Sequence, residues 1–357
     1  MKTSTRITEG LAEIEVPDSY AKKGPGTRSA GFYNAEQVLN RDITIAILSA
    51  LKPKRYLDGF GGTGIRAIRV KKELGLDATV CDINPVSENI IRNNARINGT
   101  DICIIRDTFH SVVSGNLFDF IDVDPYGSTV PYLDAAIFSV KNRGYVATTA
   151  TDLSVLTGSV GVKTRRRYNA FIGNNSHRHE MGLRLLVADV VRRAAALDRA
   201  AVPVVSFWHG HYYRAVFRIE NGGSRADTAL HSIGLLNRRR MFVSHYDDMD
   251  EGPVWTGKLQ TSSVIREAIN NRPAYVLSRN MAFLSSLLNE DLSILFFEIT
   301  DMARFLGSSI PPMDSIITEL ENRSGQKAAR THFSNTGIKF GGNWEMVEEA
   351  FRLLTRS

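Results

Sequence analysis

Residues 57–64 read Leu-Asp-Gly-Phe-Gly-Gly-Thr-Gly, and this stretch decides the fold. It follows a short run of β-forming residues and precedes a helical pattern. A glycine-rich turn in that position lets a ligand approach the backbone at a helix N-terminus. The spacing Gly59-x-Gly61-x-x-Gly64 also fits a dinucleotide fingerprint. The loop therefore predicts a nucleotide-like cofactor at a strand end and leaves its chemical class open.

Outward from this loop, residues 55–220 alternate short apolar runs with longer helical patterns, as the βα units of a parallel sheet do. The predicted strands are 55–58, 78–82, 102–106, 118–122, 144–149, 202–208 and 212–220. Only three residues separate the last two strands, so these strands must be antiparallel neighbours. The predicted fold class is α/β, with a Rossmann-like, mostly parallel sheet that ends in an antiparallel hairpin.

Helix ends and a possible linker are also visible. Asn84 before Pro85 predicts a helix start and Gly99 its end, while Asn34 predicts the cap of an earlier helix. Residues 221–224, Asn-Gly-Gly-Ser, predict a linker. We therefore expect two domains, residues 1–221 and residues 222–357, the second a smaller α+β domain. Within it, helices at 313–321 and 344–354 should flank a loop at 329–339.

The composition excludes several classes of protein. The 357 residues include 44 Lys and Arg against 38 Asp and Glu, a net charge of +6 that suits a polyanionic partner. Two cysteines, Cys81 and Cys103, cannot form a disulfide framework or a four-thiolate zinc site. No apolar run reaches the ~18 residues that a membrane span needs. We expect a cytoplasmic protein that does not enter membranes.

Asp58, directly before the first glycine, favours one class of cofactor. A carboxylate there would repel a pyrophosphate, but it can accept hydrogen bonds from the ammonium group of an amino-acid-like cofactor. S-adenosylmethionine is such a cofactor. The predicted sheet is then that of a class I S-adenosylmethionine-dependent methyltransferase, in which Gly59 and Gly61 approach the cofactor.

Further polar residues at strand and helix ends can hold the same ligand. Asp82 is placed to accept the ribose hydroxyl groups. Asp107 can accept from the adenine amino group, while Thr108 lines the ring. Arg66 and Arg41 are candidates to bind the methionyl carboxylate.

The end of the fourth predicted strand contains the most specific signal. Asp124-Pro125-Tyr126 resembles the Asp/Asn-Pro-Pro-Tyr motif of enzymes that methylate exocyclic amino groups. Hydrogen bonds from such an amine to the Asp124 carboxylate and to the following carbonyl, fixed by Pro125, would aim its lone pair at the methyl group. Tyr126 would stack on the extruded base, and Phe32 could form the opposite wall.

Taken together, the motifs resemble the archaeal and eukaryotic tRNA (guanine-N2)-dimethyltransferase family. The matching blocks, in order, are residues 32–34, 40–42, 58–66, 82–85, 124–128, 150–153, 179–184, 252–257 and 330–339. The resemblance implies S-adenosylmethionine-dependent methylation of the N2 amine of guanine 26 in tRNA, first once and then twice. It matches cofactor positions to Arg41, Arg66, Asp82, Asp107 and Thr108, the amine-holding pair to Asp124 and Pro125, and the base sandwich to Phe32 and Tyr126. Members of this family commonly contain a cysteine-rich zinc insert, but residues 232–250 contain no cysteine, so we expect no metal.

The partner that these features imply is tRNA, with no obligatory protein partner. Among several basic clusters, the run at residues 163–168 is the leading candidate to contact the tRNA backbone, through Lys163, Arg165, Arg166 and Arg167. Three alternatives stay open: methylation of another tRNA guanine, a nicotinamide-dependent oxidoreductase, and an RNA-binding protein without activity.

Overall fold

The computed structural model describes residues 4–18, 20, 22, 30–242 and 248–355, with only the backbone at Arg240. Contacts group the chain into two units. The first contains the described residues up to Asp152, together with Val190–Leu230 and Thr261–Ser285; the second contains Leu153–Asp189, His231–Gln260 and the described residues from Ser286 onward. This division differs from the single boundary predicted after residue 221, because the chain passes between the units several times.

The secondary structure alternates strands and helices in the first half of the chain. In chain order the described strands are β1 (Ser4–Glu9), β2 (Ala12–Pro17), β3 (Arg55–Asp58), β4 (Asp77–Cys81), β5 (Cys103–Ile105), β6 (Phe118–Val123), β7 (Val140–Ala150), β8 (Arg199–His209), β9 (Tyr212–Asn221), β10 (Ile233–Asn237), β11 (Asp250–Trp255), β12 (Phe297–Glu298), β13 (Ala328–Thr331) and β14 (Ser334–Phe340). The described α-helices are α1 (Val38–Leu51), α2 (Ile65–Leu74), α3 (Pro85–Asn98), α4 (Phe109–Val113), α5 (Val130–Ser139), α6 (Leu153–Leu156), α7 (Gly161–Tyr168), α8 (Arg178–Ala195), α9 (Gly223–Leu230), α10 (Arg238–Met241), α11 (Ser262–Asn270), α12 (Ser278–Asn289), α13 (Ile299–Leu306), α14 (Met313–Ser324) and α15 (Trp344–Thr355).

A seven-stranded sheet forms the centre of the first unit, in the order β5-β4-β3-β6-β7-β9-β8. The strands from β3 to β7 pair in parallel, whereas β9 is antiparallel to both β7 and β8. The predicted α/β sheet with its antiparallel hairpin is thus confirmed. The carboxyl ends of the parallel strands meet at one edge, which is where ligands bind in open α/β sheets.

The predicted helix ends are present where the local signals were strong. Asn84 accepts a hydrogen bond from the Val86 amide, Pro85 occupies the first turn of α3, and Gly99 ends that helix with φ +58°. Asn34 caps a short 3-10 helix, Ala35–Gln37, so α1 begins only at Val38.

Two predictions in the C-terminal part were wrong. The glycine pair of residues 221–224 is not a linker, because Gly223 begins α9, which packs on β8. Residues 329–339 are not a loop, since β13 and β14 form an antiparallel hairpin there. The Glu290 carboxylate accepts hydrogen bonds from the Thr331 hydroxyl at 2.7 Å and from the His332 amide at 3.0 Å. The residue that fixes this turn is about 40 positions away in sequence, so local patterns do not reveal it.

The second unit has its own apolar core. β12, β14 and β13 form a three-stranded sheet. Buried side chains of the neighbouring helices, among them Met302, Ile316, Trp344 and Phe351, belong to the same core as Phe340 of the sheet. The helices at 313–321 and 344–354 are therefore confirmed as α14 and α15. None of the described helices is both long enough and apolar enough to cross a membrane.

A buried ionic cluster joins the N-terminal hairpin to the helices of the first unit. The Glu9 carboxylate accepts from Arg41 Nε at 2.7 Å and Arg41 Nη2 at 2.6 Å, from Arg69 Nη1 at 2.8 Å and from the Tyr33 hydroxyl at 2.9 Å. Burial by itself would raise the pKa of Glu9, but Arg41 and Arg69 lower this pKa to about 2. Asp42 also pairs with Arg69, at 2.8 Å. The hairpin thus neutralises two arginines that α1 and α2 bury.

Replacement of Glu9 should strongly destabilise the first unit. Glu9→Ala leaves Arg41 without its carboxylate and Arg69 with one fewer, and we expect a loss of about 3–5 kcal/mol in the free energy of unfolding. Urea denaturation measures this loss. Because the pKa of Glu9 is lowered in the folded protein, the difference from wild type should shrink as the pH falls from 4.5 towards about 2.

Glu13→Ala is the matched control on the same hairpin. Glu13 is partly exposed and pairs with exposed Arg6, so its replacement should change stability by less than about 0.5 kcal/mol. Equal losses for the two variants would contradict the proposed role of the buried cluster.

Candidate active site

A cavity of about 830 Å³ opens at the carboxyl ends of the parallel strands in the first unit. The structure brings all twelve residues predicted for cofactor, amine and base together in its lining: Phe32, Arg41, Asp58, Gly59, Gly61, Arg66, Asp82, Asp107, Thr108, Asp124, Pro125 and Tyr126. The four basic residues predicted for tRNA are not in this lining. They lie on α7, in the second unit.

The glycine loop uses its amide groups within the protein. The Gly59 amide donates to the Asp122 carbonyl at 3.0 Å, the Gly61 amide to the Cys81 carbonyl at 2.8 Å, and the Gly62 amide to the Asp82 carboxylate at 2.9 Å. A dinucleotide site presents such amides to a pyrophosphate. This loop is therefore poorly suited to a dinucleotide.

Gly59 is also required by packing. A Cβ atom at this position would lie 2.7 Å from the Phe109 ring and 2.9 Å from the Asp122 carbonyl oxygen. Neither neighbour can easily move, because one is an aromatic ring in the core and the other is strand backbone. The glycine thus serves the fold as well as the approach of a ligand.

Asp58 is a buried carboxylate at the end of β3. It accepts a hydrogen bond from the Phe60 amide at 3.3 Å. Burial raises its pKa, Arg66 opposes the change and Asp122 adds to it, so that the pKa reaches about 7. The group therefore titrates well above the ordinary range of an aspartate, and an arriving cation would favour its charged form.

The acids after β4 and β5 differ in their surroundings. Asp82 is half-buried and accepts from the Gly62 amide and from the Asn84 amide at 2.8 Å, which fixes its orientation. Asp107 is exposed and accepts from the Ser111 hydroxyl and the Thr108 amide, which together lower its pKa. Thr108 in turn caps α4 through the Ser111 amide. Each of these carboxylate oxygens retains further lone pairs for a ligand.

Asp124, at the end of β6, is held by Arg66. The Arg66 guanidinium contacts the Asp124 carboxylate directly and lies 3.5 Å from that of Asp122. Arg214 of β9 binds Asp122 through two nitrogens, at 2.6 and 2.8 Å. Sequence reasoning missed Asp122 and Arg214, although a second acid two residues before Asp124 must point to the same face of the strand.

Asp122, near the end of β6, and Asp124, directly after it, have opposite pKa shifts. Burial raises the pKa of Asp122, but Arg214 and Arg66 outweigh this effect and lower it below its ordinary value. Burial also raises the pKa of Asp124, and there Arg66 does not compensate fully because Asp122 adds its own negative charge. Asp122 is thus the stably ionised member, and Asp124 is the one whose protonation responds to its surroundings.

Arg41, predicted to bind the methionyl carboxylate, lines the cavity and is also part of the buried Glu9 cluster. Its Nε and Nη2 bind Glu9, and Nη2 also donates to the Asn34 carbonyl at 3.1 Å. The guanidinium stacks over the Tyr33 ring at 4.8 Å. A stretch of sequence so far upstream gave no indication that Glu9 would bind this arginine.

The two aromatic residues predicted to sandwich a base lie next to each other. The Phe32 and Tyr126 rings are 6.2 Å apart and inclined at 86°. This edge-to-face arrangement leaves no parallel slot between them, so a base can lie between both faces only after one ring rotates. Tyr126 is 54% exposed and is therefore accessible for stacking.

The comparisons with known proteins decide the family. A family model described as "N2,N2-dimethylguanosine tRNA methyltransferase" matches residues 10–352. The chain belongs to the N2,N2-dimethylguanosine tRNA methyltransferase family.

Relatives in this dimethyltransferase family match over almost their whole length. The "tRNA (guanine(26)-N(2))-dimethyltransferase" of Thermoplasma acidophilum is 44% identical over 342 residues, which is 96% of each chain. The protein of the same name from Thermococcus kodakarensis is 32% identical and covers 97% of this chain and 98% of its own. Among solved structures, the complex of Trm1 from Pyrococcus horikoshii with S-adenosyl-L-methionine superposes with a TM-score of 0.85, at 29% identity, over 97% of this chain and 99% of that one.

In this member of the dimethyltransferase family, the cavity also contains residues that sequence reasoning missed. Asn34, Gln37, Thr151 and His211 line it beside the predicted set. His211 comes from the turn between β8 and β9, and its Nδ1 lies 3.1 Å from a Glu36 carboxylate oxygen. The only available signal was the His209–His211 turn, which indicates a hairpin but not its position at the site.

Proposed function

We propose that this protein transfers methyl groups from S-adenosylmethionine to the exocyclic N2 amine of guanine 26 in tRNA, first once and then a second time. One observation supports this most directly. Asp124 and Pro125, the pair suited to hold an exocyclic amine, line the same cavity as Asp58 and Asp82, the acids suited to a cofactor that has both an ammonium group and a ribose.

The residues of the cavity fit S-adenosylmethionine in charge and position. Asp58 would accept from the ammonium group, Arg66 would bind the methionyl carboxylate, and Asp82 would accept from the ribose hydroxyls. Asp107 and Thr108 would hold the adenine end. When bound, the cofactor supplies a methyl group on a positively charged sulfur atom. Arg41, whose guanidinium Glu9 also binds, is the second residue that we propose for the methionyl carboxylate.

The protein's main contribution to the reaction is to position and polarise the amine. An exocyclic amine conjugated to a purine is a weak nucleophile. Hydrogen bonds from its two N–H groups to the Asp124 carboxylate and the Pro125 carbonyl favour a pyramidal nitrogen with its lone pair aimed at the methyl group. The methylated amine would lose one N–H proton to the Asp124 carboxylate, which would pass it to solvent. One N–H then remains for Asp124, so the second transfer needs only space and a fresh cofactor in place of the demethylated one.

The base would reach this position by leaving the RNA stack, since its amine is otherwise inaccessible. Tyr126 offers the exposed ring on which it would stack. Substrate choice would then depend on tRNA shape and on the extruded guanine more than on reading of the sequence.

A basic surface on α7 is our candidate for the tRNA backbone. Lys163, Arg165 and Arg166 are exposed, whereas Arg167 is half-buried. Phosphate contacts of this kind position an RNA without reading its sequence. We also propose that residues 222–357 bind tRNA, and we expect a cytoplasmic enzyme that needs no obligatory protein partner.

The direct test is a methylation assay. Purified protein is incubated with unmodified tRNA and labelled S-adenosylmethionine, and the tRNA is then digested and its nucleosides are separated. We expect N2-methylguanosine early and N2,N2-dimethylguanosine later, both mapping to position 26. Label on another tRNA guanine would favour the alternative target. Label on another base, or none in tRNA, would contradict the proposal.

Asp124→Ala should abolish transfer while S-adenosylmethionine still binds. We expect kcat to fall by at least about 100-fold, because the amine loses the acceptor that orients it. Arg66 keeps Asp122 as a partner in this variant. Asp101→Ala, at an exposed position outside the cavity, is the matched control and should retain full activity. An active Asp124→Ala enzyme would remove Asp124 from this role.

Cofactor affinity should depend on pH through Asp58. The pKa of Asp58 is about 7 in the free protein, and a bound ammonium would lower it, so binding should release a proton. The Kd should therefore fall by up to tenfold per pH unit as the pH rises from about 5.5 to 7. Calorimetry below the α-amino pKa of about 7.7–8.0 measures this. Asp58→Asn should bind S-adenosylmethionine weakly, with a Kd that does not depend on pH in this range. The control Asp101→Asn should behave as wild type. A wild-type Kd that does not change with pH would disprove the proposed contact between Asp58 and the ammonium group.

Neutralisation of α7 should weaken tRNA binding alone. In the triple variant Lys163→Ala, Arg165→Ala, Arg166→Ala, we expect the KM for tRNA to rise at least tenfold. The slope of log affinity against log salt should decrease by about 2–3. The Kd for S-adenosylmethionine should not change.

A charge-matched control removes three exposed arginines elsewhere, Arg266, Arg272 and Arg279. Its effect on the KM for tRNA should be at most about twofold. If both triple variants weaken tRNA binding equally, the effect is one of net charge and α7 is not the contact surface.

A further inference from the structure

Tyr212 is a buried hydroxyl beside the site that no step of the proposed reaction uses. Its side chain is completely buried, and its hydroxyl has no hydrogen-bond partner among the residues that the structure describes. Burying a polar group without a hydrogen-bond partner destabilises a protein. A partner that this hydroxyl gains in another state of the enzyme would offset that cost.

Strand register places Tyr212 close to the catalytic strand end. Tyr213 pairs with Ala150, the last residue of β7, so β9 begins at the edge of the sheet where the parallel strands end. Tyr212 and Arg214 are two residues apart and point to the same face. Arg214 reaches Asp122 at 2.6 Å and the Thr44 hydroxyl at 2.9 Å. Tyr212 lies two residues closer than Arg214 to the edge where the parallel strands end. Asp124 lies two residues closer than Asp122 to the same edge.

The charges around Tyr212 are consistent with this position. Burial raises its pKa well above the ordinary tyrosine value, and the charges of Arg41, Asp124 and Arg214 act on the hydroxyl. The group is thus a neutral donor throughout the pH range of enzyme assays. A neutral donor is suited to a carboxylate that must remain an acceptor towards the substrate.

The contact between Arg66 and Asp124 indicates when such a donor is needed. In this structure Arg66 binds the Asp124 carboxylate. On the proposed function, the same guanidinium must bind the methionyl carboxylate of the cofactor. As Arg66 turns towards the cofactor, Asp124 loses its donor just before it has to orient the amine.

We infer that Tyr212 is a positioning residue whose hydroxyl donates to the Asp124 carboxylate once the cofactor has engaged Arg66. One carboxylate oxygen is then held by Tyr212, and the other accepts the N2–H of guanine. This inference rests on the proposed function. It explains why the Tyr212 hydroxyl has no hydrogen-bond partner in the described part of the chain and why Arg66 binds Asp124 in the same structure.

Tyr212→Phe tests the inference with little change of shape. We expect kcat to fall about 10- to 100-fold, the range for one hydrogen bond to a charged group. The Kd for S-adenosylmethionine and the KM for tRNA should stay within about twofold. The melting temperature should not fall, because the free protein loses no hydrogen bond. The acidic limb of the kcat–pH profile should move to higher pH, since the ionised carboxylate loses a donor.

Tyr145→Phe is the control, a tyrosine of β7 that does not line the cavity, and it should behave as wild type. A Tyr212→Phe enzyme with wild-type kcat and pH profile would overturn the inference. So would a weaker cofactor affinity at unchanged kcat, because the hydroxyl would then act on the cofactor. If the wild-type protein forms no methylguanosine, the proposed function fails, and the inference fails with it. If the wild type is active and Tyr212→Phe is equally active, only the inference is refuted.

Discussion

The buried carboxylate of Asp122 is the constraint on which the site depends. Its side chain is completely excluded from solvent, and an unpaired charge in that position would be too costly to bury. Arg214 and Arg66 compensate it, and they come from β9 and α2. Arg214 also reaches Thr44 of α1. One carboxylate therefore links β6 to β9 and to the helices α1 and α2, and residues of both helices line the cavity.

Asp122 also sets the chemistry of its neighbour. Arg214 and Arg66 together lower the pKa of Asp122. The negative charge of Asp122 adds to the effect of burial, so the pKa of Asp124 is raised. The two carboxylates, two residues apart at the end of β6, thus differ in role. Asp122 holds elements of the fold together, whereas the protonation of Asp124 can change when a ligand binds. Different surroundings commonly assign different roles to neighbouring acids. The Glu9 carboxylate has a structural role like that of Asp122, because it neutralises the buried Arg41 and Arg69.

Much of the fold and of the candidate site could be predicted because their signals are local. Strand alternation, the Asn84-Pro85 cap and the Gly loop each depend on neighbours within a few positions. Residues at strand ends gather at one edge of a parallel sheet whatever the details of packing. The prediction of a loop at residues 329–339 failed because Glu290, which holds the turn of that hairpin, is distant in sequence. For the same reason the sequence did not reveal that Glu9 binds the guanidinium of Arg41.

The sequence by itself determined the strand alternation, the antiparallel hairpin and the meeting of the Gly loop with Asp124 and Pro125 at one edge of the sheet, since motif and alternation specify them directly. Only the tertiary structure decided which charges neutralise one another and which polar groups are left without a partner. The reason is burial: the free energy of a buried charge or hydroxyl depends on which groups of other elements lie within hydrogen-bond distance. Tyr212 illustrates this difference: in the sequence it is an ordinary β-forming residue, and in the fold it is a buried hydroxyl on which the charge of Asp124 acts.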